Sequence, residues 1–528
     1  MNAALLQDKL SKLEAENAQL GSDVERLTQE SAQYRELYMQ MLEAYRKLEK
    51  GLVGRKAEVL EPDDRQLTMD ILAQLFAGQL PEAEKPESTE VPAHQRRKPT
   101  GRKPLPDHLP RVRIELLPPE VEKLGLDAFE RIGEEISEVV ERRPSSVVIV
   151  QVVRPKFVAK DRDRQQTEVH IAEPAQLPIP KGLAGPGMLA DSVVRRWQDH
   201  LPLNRLEGIY ARDGLALSRS TMCSWHDRLG ELVAPLIEAM FADALNSPYL
   251  CTDATGVLVQ EKGKCRRSHF WVLVAPERHV LFHYTRRHTK EAVDSMLADY
   301  EGYLVADAHT VYDHLYLDER IVEVGCWAHA RRYFFKALGT APELARHALA
   351  LIKQLFRIER NMGHVSKKKK GALRKARAGP VIELFFNWCD EQAATVLDET
   401  PIAKAIGYAR NQREALSRFL EDGRLPLHNN ISELQLRRQA IGRKNWLFVG
   451  SDDGGVTNTR FVTLLASCQM HGIEPWGYLR DLLCLLPDWP RSRVLELAPV
   501  NWKQTLEQGE AQQRLAADVF RQVVLGRE

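Results

Sequence analysis

Along the first fifty residues the apolar positions recur in sevens. Leu6, Leu13, Leu20 and Leu27 occupy one heptad position, and Ala3, Leu10, Asn17 and Val24 occupy the other. The spacing weakens at Ser31 and resumes through Tyr34, Tyr38, Met41, Tyr45 and Leu48. Leucine at every d position with one asparagine at a predicts a parallel two-stranded coiled coil over residues 1–50, because a buried Asn pairs well only in that register. A lone amphipathic helix packed on its own domain has no need of such strict spacing. The chain is therefore expected to form a homodimer or higher oligomer, or to pair with a similar helix of a partner.

Residues 51–113 lose this order: a short helical stretch, Arg65 to Gln79, gives way to proline and charge. Residues 114–180 alternate in strand fashion (SSVVIVQVV, RPKFVAK, TEVHIA) and predict a small β-rich module. Residues 181–245 turn helical, with a helix, a turn at Asp213–Gly214 and a second helix capped by Ser218. In a helix-turn-helix, Arg219, Ser220 and Thr221 would meet base edges and phosphates. Helical pairs around a glycine are common in any helical protein, so the pattern alone leaves both readings open.

The period then shortens to two. YLCTDATGVLVQ is a strand with Asp253 on the face of Cys251 and Thr255, and HFWVLVA and HVLFHYT extend it to an antiparallel meander. A helix leads into EGYLVADAHTVYDHL, where Asp307 ends a fourth strand, and IVEVGCWAHARRYFF supplies a fifth strand and a helix. An aspartate on strands one and four is the arrangement of an RNase H-like sheet at its open end. Either aspartate alone is equally explained as a cap; their joint placement favours the sheet. The helix HNNISELQLRRQAIGRKNW adds Glu433. Asn430 with Glu433 three residues on is also a capping box, and spacing does not separate a catalytic from a structural Glu433. Three carboxylates together make chemical sense, as hard oxygen ligands that hold two Mg²⁺ (or Mn²⁺) ions about 3.5–4 Å apart for in-line phosphoryl displacement.

Composition changes this picture in three places. The chain has 528 residues, 44% hydrophobic and 28% charged, which excludes a wholly disordered protein. Lys plus Arg is 74 against 73 Asp plus Glu, so any basic surface must be local. One such run is Arg96 to Arg113, where Arg96, Arg97, Lys98, Arg102, Lys103, Arg111 and Arg113 face Asp107 alone. It reads either as an extended arm for an A·T-rich minor groove or as a solvated linker. Arg437, Arg438, Arg443 and Lys444 concentrate charge around the Glu433 helix, where phosphate contact is expected. Arg331 and Arg332 admit phosphate contact or a solvated face equally. Seven dispersed cysteines, none before Cys223, rule out a cysteine-based zinc site in the first 222 residues. Cys326 and His329 form an isolated CxxH without a second pair, expected as a packed thiol and a helix-start histidine. GSDDGG (450–455) lacks the Lys-Ser/Thr of a phosphate loop and is expected as a hairpin turn. No apolar run approaches the ~18 residues of a membrane span and no signal peptide opens the chain, so a cytoplasmic protein, nucleoid-associated when on DNA, is expected.

GLAGPGMLADSVVRRWQDHLPLNRLEGIYARDGLALSRST, GCWAHARRYFFKAL and the segment from KAIGYARNQ to FVGSDDGG together resemble transposases of the insertion sequence 66 family, over residues 95 to 486. The resemblance implies a multidomain α+β protein. Its parts are a coiled coil (1–50), a helix and basic linker (51–113), and a small module at the family's zinc-finger position (114–180). A helix-turn-helix (181–245) and an RNase H-like α/β catalytic domain (246–486) with a helical insertion (340–405) follow, then a helical tail (487–528). By motif, it implies a catalytic and metal-binding triad of Asp253 in CTDATG, Asp307 in VADAHTVYD and Glu433 in NNISE. It further implies binding to element ends and target DNA, strand cleavage and joining, and accessory proteins of the element. Three departures stand out. The zinc-finger cysteines are missing, so no zinc is expected; Ala254 stands where the family has Glu; and Leu434 follows the glutamate in place of Arg. The missing cysteines motivate an alternative, a dimeric DNA-binding protein without catalysis, and a structure-selective nuclease on the same fold is a third reading.

Overall fold

The computed structural model describes residues 105–107, 109–143, 146–159 and 169–526, with four isolated helical positions at 19, 21, 22 and 26. The heptads (those four positions apart) and the basic arm with Arg97, Lys98, Arg102 and Lys103 lie outside the described residues. The described chain forms two compact units, one from Thr100–Cys326 with Leu425–Glu528 and one from Trp327–Arg424.

The first unit opens on a small sheet. Strand β1 (Arg111–Glu115) is followed by helix α1 (Pro119–Leu124), β2 (Phe129–Arg143), β3 (Ser146–Ala159) and the short β4 (His170–Ile171). β3 is central, parallel to β1 and antiparallel to β2. The sequence suggested separate strands for SSVVIVQVV and RPKFVAK, but they are one. Pro155 is tolerated because β1 has ended at Val153 and β4 begins only at Lys156, so that edge has no ladder bond for proline to break. Arg111 and Arg113, counted above with the basic arm, are β1 residues paired with Glu138 at 3.0 Å and Glu134 at 2.9 Å.

Helices α2 (Pro186–Trp197), α3 (Leu203–Arg212) and α4 (Arg219–Ala244) lead into a five-stranded sheet. Its members are β5 (Tyr249–Glu261), β6 (Lys264–Ala275), β7 (His279–Thr285), then α5 (Lys290–Leu297), β8 (Gly302–Val305) and β9 (Ile321–Val324). The order is β7-β6-β5-β8-β9, an antiparallel meander joined to two parallel strands.

The second unit is helical: α6 (Trp327–Ala337), α7 (Pro342–Arg360), α8 (Lys367–Arg377), α9 (Gly379–Ala393), α10 (Pro401–Asn411) and α11 (Arg413–Ser417). It is wider than the 340–405 insertion expected. Trp327, Phe334, Phe385 and Phe386 form its aromatic core, and Trp327 Nε1 donates to the Leu416 carbonyl at 2.8 Å.

The chain re-enters the first unit as α12 (Asn430–Trp446) and α13 (Asp452–Met470), then α14 (Pro475–Leu485), α15 (Trp502–Glu507), α16 (Gly509–Ala517) and α17 (Val519–Leu525). GSDDGG is not a hairpin turn. Ser451 caps α13 by accepting from Gly454 N–H at 3.0 Å, and the two aspartates fill the helix's first turn, where the dipole favours negative charge. α13 then seals the edge of β7: Ser467 and Thr463 hydroxyls accept from Val280 N–H and Phe282 N–H at 3.1 and 2.8 Å. The tail is structural as well, since Phe520 and Val523 of α17 pack into Val139, Val148, Val150 and Val152 of the small sheet. Among the described residues, no helix is long and apolar enough to cross a membrane.

One buried carboxyl explains part of the GLAGPGM string. Glu141 of β2 is fully buried beneath the start of α2, and its Oε1 accepts from Met188 N–H at 2.6 Å and Arg142 N–H at 2.7 Å. A Cβ at Gly185 or Gly187 would come within 2.1 or 2.5 Å of that carboxylate, so only glycine fits at either place. Burial pushes the Glu141 carboxyl up to about 8 from its ordinary 4.5. A carboxyl raised on folding stabilises fully below the unfolded value, and that contribution is lost as pH climbs through the folded one. Wild type should therefore lose unfolding free energy between about pH 5 and 8, and Glu141→Gln should shrink that loss by roughly 1–4 kcal/mol in urea titrations at the two pH values.

Candidate active site

β8 pairs with β5 only over Tyr249–Cys251, with Cys251 beside Val305. Asp253 lies on β5 past that pairing, whereas β8 stops at Val305, so Asp307 lies two residues beyond its strand and not at its end as expected. β5 continues, and beyond Cys251 its even-numbered backbone groups face an edge with no strand on it. Each of those with a recorded bond is met by something else. The Thr252 carbonyl accepts from Asn429 Nδ2 at 2.7 Å, and the Ala254 N–H donates to Asp253 Oδ1, also at 2.7 Å. The Gly256 carbonyl accepts from Arg443, the Leu258 carbonyl accepts from Val449 N–H, and the Gln260 N–H donates to the Val449 carbonyl, these last two at 2.8 Å. Asp253 thus leans over the open edge, and α12 is tied along it at both ends.

Asn429 is the group the sequence did not single out. It is fully buried, and its own N–H reaches the buried Cys326 thiol at 3.2 Å, so that thiol packs and accepts. It is also the residue that caps α12, without a side-chain capping bond, because its amide is committed to β5. Asn430 is therefore the first helical residue and Glu433 the fourth, which removes the capping box proposed for that pair. The cue was present as a doubled asparagine before the glutamate, but only the β5 edge distinguishes the first from the second. Glu433 stands one turn in from Asn429, half-buried like Asp253 and Asp307.

The aspartates share a field. The buried Tyr312 hydroxyl is held above its ordinary range by burial, then by Asp307, with a smaller contribution from Asp253. Beside them His288 stacks on Trp271 at 4.6 Å and meets His309 at 4.6 Å; burial and His309 push His288 down while Asp307 opposes them. Half-buried carboxylates such as Asp253 and Asp307 are of the type a hard divalent cation takes, commonly one or two of them with water and substrate phosphate completing the shell. Among the described residues no group of three or more His, Cys, Asp or Glu side chains is gathered closely enough to hold a metal by itself.

The four basic residues of α12 divide. Arg437 and Lys444 are exposed. Arg438 donates to Gln198 at 3.0 Å and Gln435 at 3.2 Å, and Arg443 is bonded to Gly256; desolvation lowers both guanidinium pKa values. In the preceding helical pair, Ser218 caps α4 by accepting from Thr221 N–H at 3.2 Å. Arg219 and Ser220 are exposed in its first turn, Arg219 with Glu207 at 3.2 Å. The opposite face of α4 is buried through Met222, Trp225, Leu229 and Val233, and burial pushes His226 down to about 3.

Residues 181–457 match the Transposase IS66 family, residues 40–114 match Transposase C of IS166 homeodomain, and residues 463–500 match the IS66 C-terminal element. The chain is similar to two proteins of Sinorhizobium fredii (strain NBRC 101917 / NGR234). It is 32% identical to the uncharacterized protein y4qI over 77% of this chain and 78% of the relative. It is 27% identical to the uncharacterized protein y4hP over 87% of this chain and 88% of the relative.

Asn429→Ala should leave the Thr252 carbonyl without its partner and lower the unfolding free energy by about 1–3 kcal/mol, read from denaturant midpoints at unchanged helix content.

Proposed function

The chain belongs to the IS66 transposase family, and from that membership we propose that it binds the ends of a mobile element, cuts them to release 3′-hydroxyls and joins these to target DNA. The observation that supports this reading is the docking of the Glu433 helix by Asn429 on β5, the strand that carries Asp253. A meander followed by two parallel strands, with Asp253 on the first and Asp307 just past the fourth, supports reading this sheet as RNase H-like.

Asp253, Asp307 and Glu433, the triad that the family motifs assign, would hold Mg²⁺ or Mn²⁺ once drawn together with DNA, and the metal would supply charge neutralisation at phosphorus and an activated oxygen nucleophile. The chain's own part is positional. Asn429 and Val449 fix α12 along β5, so Glu433 is carried on a rigid element. Arg437 and Lys444 offer exposed cations for DNA phosphates, while Arg438 and Arg443 act by holding the helix. Arg219 and Ser220 are placed to meet an element end, with Arg97, Lys98, Arg102 and Lys103 as a minor-groove arm and the heptads joining two copies.

The test is strand cleavage and strand transfer on labelled element-end DNA with Mg²⁺ or Mn²⁺. Asp253→Asn, Asp307→Asn and Glu433→Gln should each lower cleavage by about a hundredfold or more while end binding stays intact. Wild type that binds ends but neither cuts nor joins would point instead to a DNA-binding protein without catalysis.

A further inference from the structure

The helical unit between β9 and α12 carries a charge unlike the rest of the chain. Trp327–Arg424 holds 19 Lys and Arg against 10 Asp and Glu, a net of +9, while the remaining residues hold 55 against 63, a net of −8. The excess is concentrated further. From Lys353 to Arg377 there are ten cations and a single acid, Glu359.

That acid is consumed inside the unit. Glu359 accepts from Arg374 Nε and Nη2 at 3.0 and 2.7 Å and is also paired with Lys370. Arg374 is fully buried and donates further to the Phe419 and Asp422 carbonyls at 2.8 and 2.9 Å. These bonds clamp α8 to α7 and to the turn before residue 425, and they take up the one acid of the Lys353–Arg377 stretch. Lys353, Arg357 and Arg360 lie on one side of α7, four and three residues apart, and Lys367, Lys368, Lys369, Lys375 and Arg377 stand out from α8, all exposed. An ordinary solvated face intersperses acids among its lysines; none is exposed here between Lys353 and Arg377.

We propose that this α7–α8 surface binds duplex DNA through its phosphates without reading sequence, as a contact separate from the helix-turn-helix and the carboxylate edge. The choice of partner rests on the reading of the chain as a DNA transposase. A rigid row of cations suits a polyanion carrying one charge per ~1.7 Å of its axis. An anionic membrane would call for exposed large apolar side chains among the cations, and no described residue of α7 or α8 supplies one.

Full-length wild type and the variant K367Q/K368Q/K369Q/K375Q are titrated against a labelled random-sequence duplex and an element-end duplex between about 50 and 200 mM salt. Each lost phosphate contact lowers the slope of log K against log salt by about 0.9, so the variant's slope should fall by about 2–4 on both duplexes, with affinity down about tenfold or more. The matching four-arginine variant should retain both. An unchanged slope, a loss confined to the element end, or a loss seen only on anionic vesicles would overturn the proposal. The readout is binding, so a wild type that fails to cut counts against the proposed function and leaves this measurement standing.

Discussion

The length mismatch between β5 and β8 is the constraint from which the rest of the larger sheet follows. β5 runs on for ten residues past its last pairing with β8, and backbone groups along a covered strand must find partners or cost the fold dearly. Asn429, Arg443 and Val449 meet that demand, and Asp253 turns back on its own neighbour's N–H. The same need that orients α12 orients its glutamate.

A second economy runs through the molecule's arginines. Arg374, Arg438 and Arg443 sit among the most basic stretches of the chain, yet each is turned inward to carbonyl, amide or carboxylate acceptors. Planar guanidinium, with five donors in a fixed fork, can close several backbone caps at once in a way that lysine cannot. Neighbouring cations of both kinds, among them Lys375, Arg377, Arg437 and Lys444, remain outside, so place on the helix and not residue type sorts the two roles.

Much of this was legible in the sequence, for reasons that can be named. The two-residue period of β5, β6 and β7 and the helix–turn–helix about Gly214 announce themselves because each is fixed by local pattern. Ser218 announces its cap in the same way. What stayed hidden depends on partners far along the chain. Asn429 rather than Asn430 caps α12 because of a carbonyl 177 residues earlier. GSDDGG begins a helix rather than a hairpin because its serine and aspartates form an N-terminus whose second glycine lies against the Tyr284 ring. Pro155 divides a pattern without dividing a strand, since a gap in pairing absorbs it. Glu433 as part of a capping box is set aside only once the helix start is located at Asn430.

The contribution of α17 to the small sheet has a consequence for how the protein comes into being. Val148, Val150 and Val152 are made early, whereas Phe520 and Val523, which cover them, leave the ribosome some 370 codons later. Until then the nascent module exposes a valine-rich face, and closing it requires a contact of very long sequence separation, the kind that folds slowly. A polypeptide cut short by premature termination would keep that face uncovered and present itself to chaperones and proteases. Closure of this valine face thus waits on residues made some 370 codons after it.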